Sequence, residues 1–449
     1  MDEAELGREQ QMVRTKLTAT ILAGASLIFA FTTPVLAQEI SGGKGEPQGQ
    51  TAAKQIVTLN DLIEEALRHN PEIRAAMRDV DAKRARVPQA GALPDPVISF
   101  GQMNEGNVIP FTTLGKFGFS EIYIGITQEF PFYGKRGLRE QVAGSEADAE
   151  YWMFEFTRRQ VIANVKSAYY DLFYRNKAQE IVEKIIALME NFARIAEALY
   201  SVGKGSQADV LRAQTEISRL QDRLEVLQQQ RGISEAQINA LLNRPADAPI
   251  GWPAPVEKKP FRYSLAELTG MALESSPLLK RERRLIDGRA SALELAKKEL
   301  YPDFGFVFTY HNRGALLDYW TIGGTAKIPL YFWRKQRRGV EEAAAELAGS
   351  RERYSSTQAM LLFRIKDHYL RASTSDRLTR LYGETIIPQE TLTLEATTTG
   401  YEVGKIDFLS VIDSVIKLLN DELTYYEQLA EYKKALAQLE LLVGIELTK

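Results

Sequence analysis

His69, His311 and His368 are the only imidazoles in a chain of 449 residues that has no cysteine. A metal centre or an activated nucleophile needs such groups clustered at ligand or hydrogen-bond spacing. These three are scattered, no HExxH occurs, and each reads as an ordinary surface or interface residue. Without cysteine there are no disulfides, thiolate metal sites or cysteine nucleophiles, and no N-terminal thiol to carry a lipid. Gly203-Lys204-Gly205-Ser206 has the composition of a phosphate loop. It lacks the upstream glycine, has Gly205 where a hydroxyl residue belongs, and follows a helical pattern instead of a strand. No catalytic constellation remains, so an enzyme is not expected, and neither is a resident cofactor or metal. The chain is 45% apolar and 26% charged with a net charge of −3, and its basic residues do not pile up on any segment. That argues against a nucleic-acid partner.

Two cationic groups remain, Lys135-Arg136 and Lys335 with Arg337 and Arg338. Each opens a long helical pattern. They read either as a solvated rim or as a basic ring that draws anions.

The elements that position these groups are organised around two turns, Tyr200-Ser201-Val202-Gly203-Lys204-Gly205-Ser206 and Tyr401-Glu402-Val403-Gly404-Lys405-Ile406-Asp407. Ile181, Ile185, Leu188, Phe192, Ile195 and Leu199 precede the first at spacings of four and three, and Ile217, Leu220, Leu224 and Leu227 follow it. Val411, Val415, Leu418, Tyr425, Leu429, Tyr432, Leu436, Leu439 and Val443 follow the second. This is a coiled-coil seam. Gly203 and Gly404 suit the left-handed position that ends a helix, and Ser206 and Asp407 suit N-caps. Each turn is expected to be the tip of a long antiparallel hairpin. The outgoing helices run from Lys135 to about Leu199 and from Lys335 to about Thr399, each about 100 Å long at 1.5 Å per residue. Pro388 is expected to kink the second.

The unit is written twice. Leu59, Leu62, Ala66, Leu67 and Pro71 match Leu265, Leu268, Ala272, Leu273 and Pro277. Leu93-Pro94-Asp95 matches Tyr301-Pro302-Asp303, Phe130-Pro131-Phe132-Tyr133 matches Ile328-Pro329-Leu330-Tyr331, and the tips match in the same order. The expected plan is a signal peptide over 1–37, a flexible leader over 38–55, a first repeat over 56–243, a linker over 244–263 and a second repeat over 264–449. Arg14 and Lys16, the apolar run after them and Val35-Leu36-Ala37 carry the signal-peptide reading, with Met12 the expected natural start.

Each repeat also holds two extended segments, over about 96–130 and 303–329. Phe304, Phe306 and Phe308 alternate with Gly305, Val307 and Thr309, and Ile122, Ile124 and Ile126 alternate with Tyr123, Gly125 and Thr127. A small soluble sheet on helices and a set of tilted membrane strands both fit this pattern. The export signal and the flanking aromatics favour the membrane, with Ile122, Ile124, Ile126, Phe304, Phe306 and Phe308 facing lipid. Four strands cannot close a barrel, and an open edge in lipid costs several kcal/mol per unsatisfied group. Membrane strands therefore require oligomerisation: two copies supply eight strands, three supply twelve.

The duplicated plan and both tip motifs resemble the outer membrane efflux factors, the TolC-like family, over nearly the whole mature chain. Leu93-Pro94-Asp95-Pro96 and Gln128-Glu129-Phe130-Pro131-Phe132-Tyr133-Gly134-Lys135 look most like the heavy-metal branch. The resemblance implies a mainly helical homotrimer with a twelve-strand outer membrane β-barrel above a periplasmic α-barrel. It implies a passive duct served by a periplasmic adaptor and an inner-membrane pump of the RND type, exporting heavy-metal ions or small toxic compounds. A multidrug or type I secretion duct is the variant reading, and a soluble coiled-coil adaptor is the rival from another class.

The resemblance also assigns roles. The tips, with Tyr200, Val202, Gly203, Lys204, Tyr401, Val403, Gly404 and Lys405, would meet the adaptor. The two lysines read equally well as solvated turn residues. Of the acidic residues that ring the family's entrance, Asp413 is kept and Ser410 replaces another. Asp209 stands at the equivalent place after the first tip, where it could instead complete a capping box with Ser206. The family's latch arginine falls at Ile406.

Overall fold

The computed structural model describes residues 56–258, 260 and 262–447. The expected signal peptide and leader lie outside the described residues. The first half runs β1 (Ile56–Val57), α1 (Leu59–His69), α2 (Pro71–Gly91), β2 (Val97–Met103), β3 (Glu121–Phe130), α3 (Lys135–Ser201) and α4 (Gln207–Leu242). After β4 (Trp252–Pro253) the second half repeats it: α5 (Leu265–Ser275), α6 (Pro277–Lys298), β5 (Asp303–Asn312), β6 (Tyr319–Lys327), α7 (Gln336–Leu381), α8 (Ile387–Glu402) and α9 (Phe408–Val443).

Local chemistry sets the joints. Asn70 caps α2 by accepting from the backbone N–H of Glu72, and Pro71 opens the helix where an N–H would be unsatisfied in any case. Ser264 and Glu267 close a capping box on α5. α3 is continuous for 67 residues. Its counterpart is not: between α7 and α8 the residues Tyr382–Ile386 form a π turn immediately before Pro388. The expected kink is therefore a widened turn, which accommodates the missing N–H and the ring.

The helices form two tiers. In one, α2, α3, α6 and α7 lie side by side in that order. In the other, α4 packs on α3, α3 on α9, and α9 on α7 and α8. The short helices α1 and α5 brace the joints. The apolar seams are buried as their spacing requires, but the tip hairpins share one core: Ile181, Ile185, Phe192 and Leu220 join Leu394, Val411, Val415 and Leu419. Two further clusters, around Leu62, Val165 and Leu172 and around Leu268, Leu361 and Leu439, hold the two brace regions. The segment between the repeats is anchored. β4 pairs in parallel with β1, Arg231 lies over the Trp252 ring at 4.8 Å, and Lys258 bonds to Asp376 at 3.0 Å.

The four long strands make one antiparallel sheet in the order β2-β3-β5-β6. All three layers thus have the same two flanks. The first-repeat elements β2, α2 and α4 lie on one flank, and the second-repeat elements β6, α7 and α8 on the other.

Candidate functional site

The sheet sorts most of its side chains by face. Directly paired residues share a face, and the register joins Phe100 to Ile124 to Tyr310 to Trp320, and Ile98 to Ile126 to Phe308 to Ile322. Phe304 and Phe306 continue this face, and all of these side chains are exposed. The opposite face carries Ser99, Gly125, Thr309 and Thr321 in one row and Thr127, Val307 and Gly323 in the next. One face is mainly apolar, interrupted by Gln102, Gln128 and Asn312; the other is mainly small or polar, with Val97 and Val307 among its residues. Exposed apolar area on this scale marks a surface that meets lipid or another chain.

On the polar face, at the end away from the helices, His311 departs from expectation. Its Nδ1 lies 2.8 Å from a carboxylate oxygen of buried Glu121, and its ring stacks on Tyr319 at 4.3 Å. The Tyr319 hydroxyl donates to the other oxygen of Glu121 at 2.7 Å. Sequence spacing could not find this partner, because it lies on another strand in the other repeat. Among the described residues no group of three or more such side chains could hold a metal ion.

The junction of sheet and helices overturns the rim and ring readings of Lys135. Its side chain is 1% exposed. The ammonium donates to Asp303 at 2.8 Å, to the Tyr301 carbonyl at 3.1 Å and to Glu299 at 3.2 Å, while Arg139 reaches Glu299 at 3.3 Å. Arg136 donates to the Gly91 carbonyl. A lysine is buried only when such acceptors surround it. The first repeat's long helix is thereby pinned to the second repeat's first strand. At the head of α7, Lys335 and Arg337 remain exposed, and Arg338 pairs with Glu341.

The tips have the same backbone. Gly203 and Gly404 sit at φ +75° and +74°, the left-handed region. Lys204 N–H donates to the Leu199 carbonyl and Lys405 N–H to the Gly400 carbonyl, at 2.9 and 2.8 Å. Their side chains differ. Tyr200 is 49% exposed, whereas Tyr401 is 6% exposed and packs on Phe408 at 5.0 Å. Gln207 stands where Phe408 does, so the first tip has no aromatic partner for its tyrosine. Val202, Val403, Lys204 and Lys405 are exposed. Tyr401 is not, which corrects its place among the surface residues of the tip.

The expected caps differ too. Ser206 accepts from the Ala208 N–H, not that of Asp209, so no capping box forms. Asp407 caps no N–H with its side chain; it accepts the Ser410 hydroxyl. Asp413 is exposed and pairs with Lys417 at 2.7 Å. That hydrogen bond and the Asp413 charge raise the Lys417 pKa above its usual value. Asp209 lies 3.9 Å from Arg212. Burial raises the Tyr401 phenol and the Asp209 charge adds to it. Higher on the same hairpin, burial and then the charge of Glu390 raise the pKa of Asp421.

Long paired helices, a two-faced sheet of four strands and twin tips repeat a plan found elsewhere. The family model described as "Outer membrane efflux protein" matches residues 62–244 and 268–445. The chain belongs to the outer membrane efflux protein family. It is 22% identical to the Nodulation protein T of Rhizobium leguminosarum bv. trifolii, over 86% of this chain and 85% of that one. It is 21% identical to the cobalt-zinc-cadmium resistance protein CzcC of Cupriavidus metallidurans, over 93% and 98%. Its fold matches the crystal structure of the outer membrane protein VceC of Vibrio cholerae with a TM-score of 0.74, at 20% identity, over 87% and 96%. The protein is an outer membrane factor of an efflux system, located in the outer membrane. The soluble-adaptor reading falls with that membership. The family is one of channel proteins, not known as enzymes.

Proposed function

We propose that three copies close into a passive duct that carries heavy-metal ions out of the cell. The sheets would join as a twelve-strand barrel in lipid, and the helices would form the tunnel beneath it. A periplasmic adaptor would dock at the tips, through Val202, Lys204, Val403 and Lys405, and an RND-type inner-membrane pump would load the tunnel. The observation that carries this reading is the sheet: an apolar exposed face bounded by two unpaired edges, β2 and β6. In lipid such edges must be satisfied, and a closed ring satisfies them. The cargo follows from the likeness to the cobalt-zinc-cadmium resistance protein, which spans nearly the length of both chains. No covalent chemistry is required of the duct itself.

Asp413 and Asp209 supply carboxylates near the tips, and we assign them to the periplasmic entrance, with Ser410 as an uncharged neighbour. With Ile406 at the latch position, the closed state would be held less firmly than in relatives that carry arginine there. Planar-bilayer recording tests the reading. The purified protein should form stable cation-preferring pores, and Asp413→Asn should lower that preference and weaken block by divalent ions. Restored tolerance to Co²⁺, Zn²⁺ or Cd²⁺ in cells lacking their own duct would support the metal cargo; restored tolerance only to organic toxicants would select the multidrug variant.

A further inference from the structure

We propose that the cleft between α3 and α6 is a binding site for a small organic anion, a flat apolar body carrying a carboxylate or a phosphate. The cleft belongs to neither the sheet nor the tips, and the proposal does not depend on the duct reading. It measures about 450 Å³ and is lined by Trp152 of α3 and by Lys280, Arg283, Arg284, Ile286 and Asp287 of α6. Small-molecule sites have volumes of about 300–1,000 Å³.

Helical spacing builds the charged wall. Lys280, Arg283, Arg284 and Asp287 stand at i, i+3, i+4 and i+7, so one face of α6 carries three cations against one carboxylate. The Lys280 ammonium lies over the Trp152 ring, 4.5 Å from its centre, and both residues are half-buried. Among the described residues that ammonium has no hydrogen-bond or ion-pair partner. Its three N–H donors are therefore left by the protein for a ligand.

The two arginines are positioned beside it. Arg283 donates to the Leu273 carbonyl at 3.1 Å and to the Tyr354 hydroxyl at 3.3 Å. Arg284 pairs with Asp148 at 3.5 Å and with Asp287 at 3.4 Å. These contacts are exposed and weak in water, and each guanidinium keeps further N–H groups for a second acceptor. The chemistry selects the ligand. An oxyanion takes charge-assisted hydrogen bonds from the cations, a flat apolar body covers the indole, and the unopposed lysine repels a cation.

The first repeat supplies a contrast. The offset that carries Pro71 to Pro277 places Arg74, Met77 and Arg78 at the positions of Lys280, Arg283 and Arg284. There Arg74 donates to the His69 carbonyl, Arg78 pairs with Asp81, and the middle cation is absent. The charged face of α6 is thus more than the duplicated pattern requires.

The test is a fluorine NMR titration of the purified protein in detergent. The probes are para-fluorobenzoate and para-fluorophenyl phosphate. The neutral para-fluorobenzyl alcohol and the cationic para-fluorobenzylamine measure uptake by detergent or by apolar surface. Both anions should bind, more weakly as salt is added, and the tighter of them identifies the head group. Lys280→Gln should weaken the anions about ten-fold and leave the alcohol unchanged, while Lys280→Arg keeps the binding. Trp152→Leu should remove the advantage of the fluoroarenes over acetate and inorganic phosphate as competitors. Should that variant fail to assemble, Trp152→Phe, which keeps a ring, should retain the advantage. Unchanged anion affinity in assembled Lys280→Gln protein overturns the site, as does an alcohol that binds as tightly as the benzoate. Acetate and inorganic phosphate competing as well as the arenes with the unaltered protein would overturn the role of Trp152.

Discussion

The head of α3 and the head of α7 hold the same place in two copies of one plan, and they are finished differently. At α3, Lys135 is buried against Asp303 and Glu299, and Phe132 stacks on Tyr301. At α7 the cations are exposed and the aromatic pair is replaced by leucines. The hairpins below differ as well. α3 is one unbroken helix, whereas its counterpart widens at Tyr382–Ile386, and on α9 burial and then the charge of Glu390 disfavour ionisation of Asp421. Duplication supplied one joint twice. One was sealed within the chain and stiffened; the other was left open at the flank and given a bend.

The largest expected effect probes that contrast directly. Lys135→Met should cost about 3–5 kcal/mol, because Asp303 keeps a mostly buried charge without its partner. Lys335→Met should cost under about 1 kcal/mol in chain stability, as expected of an exposed cation. Denaturant titration of the two variants measures both, and equal losses would erase the distinction. Next comes the sheet, where the two faces should respond unequally. Phe306→Arg should cost about 2–4 kcal/mol near the middle of the membrane. Val307→Arg on the polar face should cost less, read as the yield of heat-stable assembled protein. Greater sensitivity at Val307 would reverse the faces.

A smaller effect is expected at the tips, where the two halves should respond alike. Valine at Gly203 or Gly404 is strained by about 1–2 kcal/mol in the left-handed region, although each site has open space for the side chain. Cells carrying both substitutions should lose efflux while the protein still assembles; undiminished efflux would remove the tips from adaptor docking. The smallest effect belongs to the bent hairpin. The pKa of Asp421 is raised in the fold, so ionisation there is unfavourable. The penalty is absent below the ordinary carboxylate range, where folded and unfolded chains are both protonated. It appears as pH rises through the raised pKa. Asp421→Asn should therefore stabilise the protein slightly at neutral pH and not at acid pH, visible as a melting temperature that depends less on pH. A variant no more stable at either pH would show that the like charges do not loosen this half.

The seams of Ile181, Ile185 and Phe192 and of Val411, Val415 and Leu418 could be read from the sequence, as could the left-handed glycines at the tips and the alternation of Phe304, Phe306 and Phe308. Each is a local rule: helical spacing, positive φ and strand period are set by neighbours a few residues apart. The duplication could be read for the same reason, since it needs only the order of motifs. The partners of Lys135 and His311 could not. Asp303 and Glu121 are brought to them by chain folding, and a cation at the start of a helix looks the same in sequence whether it will be solvated or buried. Pro388 announced a disturbance, but not its form as a π turn over Tyr382–Ile386. The sequence by itself thus determined the elements, their duplication and the polarity of their faces, because those follow from short-range geometry. Which joints are closed within the chain and which are left at its flanks was decided only by the tertiary structure, because burial depends on which surfaces the folded chain has already covered.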